Sequence, residues 1–338
     1  MSTHSRSLIV TVVFLFALAV ARTGATAERY TGFLIDTHGH LGASFDWETI
    51  IDVMDHNNIS RQIIMARYYP GPAGSADHPG NDEFAIELAK KYPGRFFPLV
   101  GMQRPALTGA KKWLDMDAQV EAILSETKAK LASGRFFGIG EVIVKHFAYT
   151  KGRHAELENP VYSPFMQRLS QLALEFDVPI VLHMEGKPDL VQDFARLLRE
   201  NAEVRYVWAH NCGRSKASVI REMLEQHANL YCDLANMTNV GKTGYGVGWP
   251  RMEEYNALIE EDGVLFPPMS EVYERFPDRF MIGMDVAHAP GMNRRNYGRR
   301  ANRFRELLTQ LTPKTAAAFA EGNAISIFKL NRSGKRKP

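Results

Sequence analysis

Surplus charge is what this chain has least of. Over 338 residues, Lys and Arg number 41 and Asp and Glu 38. Residues 1–27 carry Arg6 and Arg22 and no acid, so the remainder balances 39 basic against 38 acidic residues and exerts no global pull on nucleic acid. Cysteine is scarce as well. Cys212 and Cys232 are the whole complement. They fall just after and within consecutive expected strands, and could pair in an oxidising compartment if their Cα atoms come within about 4.4–6.8 Å. There is no internal repeat of fixed period and no low-complexity tract. The one long apolar run, Leu8 to Val20, falls short of the roughly 20 residues of a membrane span.

That run follows Arg6 and precedes Ala25-Thr26-Ala27, small residues at the spacing a signal peptidase reads. The expectation is a secretory signal over 1–27, cleaved after Ala27, with the mature chain periplasmic or secreted and not stably inserted in a membrane. A single membrane anchor is the alternative. At the other end, residues 331–338 are basic and read as a solvated tail.

Between these ends, residues 28–330 alternate apolar runs with amphipathic stretches. Strands are expected at 33–36, 61–66, 95–101, 136–142, 178–183, 204–210, 229–234 and 279–285. Helices are expected near 47–57, 80–91, 114–132, 161–176, 187–200, 214–227, 252–261 with 269–276, and 299–310. Eight successive strand–helix units predict an α/β fold, a single-domain (β/α)8 TIM barrel, with a doubly wound open sheet as the rival. The segment 235–277 is long for a strand–helix connection, and its Gly241, Gly244, Gly246, Gly248 and Trp249 suit a lid as well as a plain insertion.

Five of these strands end in side chains that can bind metal. The first runs into Asp36-Thr37-His38-Gly39-His40, where two imidazoles spaced by two face the same way on an extended chain. The others end in Glu141, His183, His210 and Asp285. In a barrel all six would gather at the carboxyl ends of the strands, where catalytic groups of that fold lie. Taken singly they have plainer readings: Glu141 as a buried carboxylate paired with Lys145 or Arg67, His210 as a core histidine donating to a backbone carbonyl.

Taken in order, they resemble the metal-dependent hydrolases of the amidohydrolase superfamily. The matching stretches are Asp36 to His40, Gly138-Ile139-Gly140-Glu141, Leu182-His183, Ala209-His210 and Gly283-Met284-Asp285. The ending Glu321-Gly322-Asn323-Ala324, with Phe328, resembles the branch called amidohydrolase family 2. The resemblance implies that His38, His40 and Asp285 hold one divalent ion and that His183 and His210 hold a second, with Glu141 bridging. Asp285 would also serve as general base. Zinc suits imidazole and carboxylate donors, and Mn, Fe or Co would be accepted. If only one ion binds, His210 becomes the catalytic imidazole.

Basic residues follow several strand ends: Arg67, Arg104, Lys145, Arg214, Arg294 and Arg295. With them come the loop aromatics Tyr68, Tyr69, Phe147, Tyr149, Tyr245 and Trp249. Arg67, Lys145, Arg214, Trp249 and His288 are the expected substrate contacts, for a small molecule with an anionic group. The leading expectation is hydrolysis of a carboxylic ester, lactone or amide by metal-activated water. Non-oxidative decarboxylation of an aromatic or unsaturated acid is the alternative, a non-catalytic binding protein the third reading, and a homo-oligomer is compatible with all three.

Overall fold

The computed structural model describes residues 28–42, 45–68, 80–147, 156–238 and 258–331. The expected signal over 1–27, most of the glycine-rich segment with Trp249, and tail residues 332–338 lie outside the described residues. So do Tyr69, Tyr149 and Tyr245. No described helix is long and apolar enough to cross a membrane.

Each of the eight apolar runs forms a strand. They are β1 (Leu34–Leu41), β2 (Ile59–Arg67), β3 (Phe96–Gln103), β4 (Ile139–His146), β6 (Ile180–Met184), β7 (Tyr206–Trp208), β8 (Leu230–Asp233) and β9 (Phe280–Met281). These strands pair in parallel in that order. β5 (Leu157–Glu158), which sequence reasoning does not foresee, adds an antiparallel edge to β4. The barrel closes where β1 meets the chain after β9: the Thr37 amide donates to the Ile282 carbonyl at 2.9 Å and the Asp285 amide to the His38 carbonyl at 2.8 Å. The (β/α)8 barrel therefore holds, and the open sheet is excluded.

Side chains two apart on a strand face the same way, and this alternation splits the core. Ile35, Ile63, Met65, Phe97, Leu99, Val181, Val207 and Met281 fill the barrel interior. Leu34, Ile64, Val100, Leu182, Tyr206 and Trp208 pack outward against the helices. Being buried on both faces is why these strands read as continuous apolar runs. The end of the chain stoppers the barrel: Ile327 and Phe328 join the interior cluster. Asn323 donates to the carbonyls of Pro277 at 2.9 Å and Phe280 at 2.8 Å.

The surrounding helices are α1 (Trp47–His56), α2 (Asp82–Lys91), α3 (Ala110–Asp115), α4 (Ala118–Ala132), α5 (Pro164–Glu175), α6 (Pro188–Glu200), α7 (Ala217–Gln226), α8 (Pro267–Arg275) and α9 (Arg294–Thr309). α10 (Pro313–Ala317) and α11 (Asn323–Ile327) follow. The helix expected over 114–132 is two helices. Met116 takes a left-handed φ of 55°, and Asp117 caps a new helix by accepting from the amides of Gln119 and Val120. The helix expected over 252–261 lies mostly outside the described residues, and its described end is not helical, since Ile259 bridges Leu265. α9 begins at Arg294, ahead of the expected 299, because Asn293 caps it.

After β7 the chain makes no ordinary helix. Residues 210–214 all have φ between 52° and 66°, one left-handed turn. Non-glycine residues rarely sit there, so the surroundings must hold them. One such hold is covalent: Cys212 and Cys232 are disulfide-bonded, with Cα atoms 5.2 Å apart, which ties the turn to β8. Replacing both cysteines by alanine is expected to lower the unfolding free energy by about 3 kcal/mol, the chain-entropy value for a loop of this size. Denaturant melts read it, and identical midpoints for variant and wild type would refute it.

Candidate metal centre

The two histidines of β1 reach the barrel interior by way of a β-bulge. Asp36 pairs with Gln62 and Gly39 with Ile64, so β1 spends three steps where β2 spends two. One extra residue reverses the facing of everything beyond it. Ile35 points inward before the bulge; His40, level with the inward Met65, points inward after it. A regular strand could not have both.

Asp36 holds this irregularity. Its carboxylate, fully buried, accepts from the His38 amide at 3.0 Å, the Met284 amide at 2.8 Å, Gln62 Nε2 at 2.7 Å and the Tyr297 hydroxyl at 2.7 Å. Gly39 makes room for that Gln62, since a Cβ there would lie 2.7 Å from its Nε2. Across the seam Asp285 takes a φ of 50°. Arg300 steadies it by donating to the carbonyls of Met284 and Asp285.

The six expected ligands come together around Glu141. Its Oε1 lies 3.4 Å from His38 Nε2, 3.1 Å from His183 Nδ1 and 3.5 Å from His210 Nε2, and its Oε2 lies 3.5 Å from His40 Nε2. Asp285 Oδ1 stands 3.3 Å from the same His40 nitrogen. Two overlapping groups, His38 with Glu141 and His210, and His38 with His40 and Asp285, each present ligand atoms within 4.8 Å of one another.

The outward nitrogens of three rings are held from behind. His38 Nδ1 faces Asp233 Oδ2 at 2.8 Å, His183 Nε2 faces Glu185 Oε1 at 3.2 Å and His210 Nδ1 faces the Ala235 carbonyl at 2.9 Å. Carboxylates and carbonyls only accept, so each of these nitrogens carries a hydrogen; for His38 and His210 the other nitrogen of the neutral ring is then a lone pair aimed inward, whereas His183 Nδ1 faces a second carboxylate, Glu141 Oε1. His183 Nδ1 and His210 Nε2 are then 2.9 Å apart. A hydrogen on His183 Nδ1 or a cation therefore lies between the two nitrogens. His38 Nε2 is buried and makes no hydrogen bond among the described residues. The donor set fits one or two divalent ions of the zinc type.

Electrostatics agree. Burial opposes charge on Glu141, but His38, His183 and His210 overcome it and hold the carboxyl well below its usual range. Burial likewise lowers His38, yet Asp233 and Glu141 raise it well above an ordinary imidazole. His183 is raised to about 8 by Glu141 and Glu185 against the same opposition. Burial, Arg214 and His183 lower His210. His40 and His38 hold Asp285 in its ionised form despite burial.

The plainer readings fare unevenly. Glu141 is paired with imidazoles, and with Gln103 Nε2 at 2.6 Å, instead of with Lys145 or Arg67. His210 does donate to a backbone carbonyl, and its other nitrogen still faces the site.

The expected substrate contacts divide. Arg67 and His288 meet, with Nη1 3.2 Å from Nδ1. Lys145 is instead committed to Glu156 at 2.9 Å and Glu158 at 2.7 Å, because the β5 edge brings acids over it. Arg214 is buried and paired with Glu185 at 2.5 Å, since the left-handed turn rolls it behind His183. Arg104 is held by Glu126 and Arg294 by Asp52.

Sequence reasoning passed over four groups that support the site: Asp36, Asp233, Glu185 and Gln103. Asp233 closes an apolar run as the six ligands do, and Glu185 repeats the two-residue spacing of His38 and His40. Gln103 carries no signal of its own.

The family model described as Amidohydrolase matches residues 35–330. No curated protein sequence matches the chain. Among solved structures the fold is similar to that of a probable 2-pyrone-4,6-dicarboxylic acid hydrolase from Acinetobacter baumannii. That match is 14% identical, covers 88% of this chain and 99% of the other, and has a TM-score of 0.52. A 2,6-dihydroxybenzoate decarboxylase and an amidohydrolase from Burkholderia multivorans with bound zinc are each 12% identical over the same shares, at the same TM-score.

Metal ligation needs neutral imidazoles, whereas His38 and His183 hold protons at neutral pH. Uptake of zinc by metal-free protein is therefore expected to release protons, with affinity rising with pH through the value of about 8 at which His183 becomes neutral. Calorimetric titration in two buffers of different ionisation enthalpy measures this. Heats independent of buffer would contradict it.

Proposed function

Because this chain belongs to the amidohydrolase family, we propose that it is a metal-dependent hydrolase acting on a carboxylic ester, lactone or amide of a small anionic molecule. The observation that carries the reading is the convergence of four imidazole nitrogens and two carboxylates, with the outer nitrogens of His38, His183 and His210 held from behind. His38, His40 and Asp285 would hold one divalent ion and His183 and His210 a second, with Glu141 between. Such an ion, zinc by the choice of donors, supplies Lewis acidity toward an acyl oxygen and lowers the pKa of water from 15.7 toward about 7.

The chain's own groups supply the rest. Asp285 is ionised and partly exposed, so it can take a proton from the attacking water and return it to the leaving group. His210 has its Nδ1 hydrogen committed to Ala235, which leaves Nε2 to bind or accept. Arg67 at the end of β2 offers a guanidinium to an anionic substrate group, beside the ring of His288. The expected leader over 1–27 and the Cys212–Cys232 disulfide support a periplasmic or secreted setting.

Decarboxylation is the second reading, since the fold is as similar to a decarboxylase as to a hydrolase. Hydrolysis is preferred because Asp285 stands beside the histidines as a base for water. A panel of acid-bearing lactones and esters in ¹⁸O-water is expected to yield a product carrying solvent oxygen, with kcat falling roughly 10²–10⁴-fold in Asp285→Asn. Carbon dioxide released from an aromatic acid, with no label incorporated, would replace hydrolysis by decarboxylation. Elemental analysis is expected to find metal in the purified protein and less of it in Glu141→Gln and His38→Ala; metal-free protein that cannot be reconstituted would sink the catalytic reading.

A further inference from the structure

The Cys212–Cys232 disulfide lies beside the metal centre, and the chemistry above does not use it. Cys212 is two residues past His210, and Cys232 immediately precedes Asp233. Both cysteines are fully buried. The link spans a sequence separation of only 20 in a chain of 338 residues. Since the entropic gain from a crosslink grows with the loop it closes, a link serving general stability alone would be better placed across a longer one.

What the link joins are the two segments that place His210. Asp233 Oδ1 accepts from the His210 amide at 3.0 Å and from the Ala235 amide at 2.9 Å, and the Ala235 carbonyl faces His210 Nδ1 at 2.9 Å. The other Asp233 oxygen lies 2.8 Å from His38 Nδ1. Residues 233–235 therefore hold both the backbone and the ring of His210, and the disulfide is the covalent tie between the same two stretches of chain.

The turn needs such a tie. His210, Asn211, Cys212 and Arg214 have φ of 59°, 53°, 52° and 58°. Left-handed backbone at four non-glycine residues out of five is unfavourable, and it relaxes unless the surroundings hold it. Hydrogen bonds assist: the Gly186 amide donates to the Gly213 carbonyl at 2.9 Å, and the Tyr273 hydroxyl donates to Asn211 Oδ1 at 3.0 Å. The disulfide is the hold that a change of redox conditions can remove.

We propose that the disulfide is a redox switch on the metal centre: on reduction the turn after β7 relaxes, His210 leaves its place against Asp233 and Ala235, and the site loses affinity for metal. In the reduction a thiol reductant gives up two electrons and two protons and becomes a disulfide, while the S–S bond breaks to leave Cys212 and Cys232 as thiols. The effect on metal rests on the metal-site reading, but the first test needs none. Metal-free protein is reduced by a trialkylphosphine, which with one water yields the two thiols and a phosphine oxide, and complete reduction is confirmed by counting thiols. Hydrogen exchange is then compared between the oxidised and reduced forms. The amides of His210, Gly186 and Ala235 are expected to lose protection on reduction while those of β2 and β3 keep theirs. Unchanged exchange at His210 overturns the proposal; so does loss of protection throughout, because the link would then hold the fold and not the site.

The double substitution Cys212→Ala with Cys232→Ala removes both sulfurs, so that no thiol can bind zinc in place of an imidazole. Its zinc affinity in chelator competition is expected to fall about 10–100-fold below that of oxidised wild type, the usual loss when the support behind a ligand is removed. A folded double variant with wild-type zinc affinity also overturns the proposal. If oxidised wild-type protein binds no zinc, the metal-site reading fails, and the exchange measurement still decides whether the disulfide sets the place of His210.

Discussion

The site depends on one unfavourable arrangement made stable: nitrogen lone pairs gathered around a single buried carboxylate. Glu141 faces His38, His40, His183 and His210 within 3.5 Å. Lone pairs and a carboxylate repel unless positive charge lies among them, as protons in the metal-free protein or as metal ions. The protein invests in keeping them there. Asp233, Glu185 and the Ala235 carbonyl each hold one ring from its far side, so the rings cannot turn away from the repulsion. Asp233 serves twice, because its other oxygen accepts from the His210 and Ala235 amides.

The barrel makes such crowding attainable. Eight strand ends on one rim bring residues from β1, β4 and β6, from the turn after β7 and from the chain after β9 within a few ångströms. The rim is also where regular backbone stops. The bulge in β1, the left-handed turn after β7 and the left-handed Asp285 all sit there, each stabilised by a buried polar contact from elsewhere in the chain.

Much of this was legible in sequence, for definite reasons. Buried parallel strands leave apolar runs, and a polar residue that can bind metal stands out at the end of one. The alternation of strand and helix then orders the elements, and Asn323 and Phe328 mark the closing segment. Side chains whose positions depend on backbone handedness or on distant partners were not legible. Arg214 and Lys145 both follow strand ends, as Arg67 does, and from sequence all three look alike. A left-handed turn carries the first behind His183, and a two-residue edge strand supplies the second with Glu158. Asp36 was visible in its motif, but its four donors come from residues up to 261 positions away.

The bulge in β1 means that the site is specified partly by a count. Substitution tests whether a side chain is needed. Loss of Thr37 would be a different lesion, leaving both histidines in the chain but turning His40 toward the helices instead of the pocket. Insertions and deletions at this one place therefore bear on the centre as directly as loss of a ligand, while the same change in a surface loop would leave it intact. The spacing through Asp-Thr-His-Gly-His is thus part of the chemistry, because it decides on which side of the barrel wall the chemistry takes place.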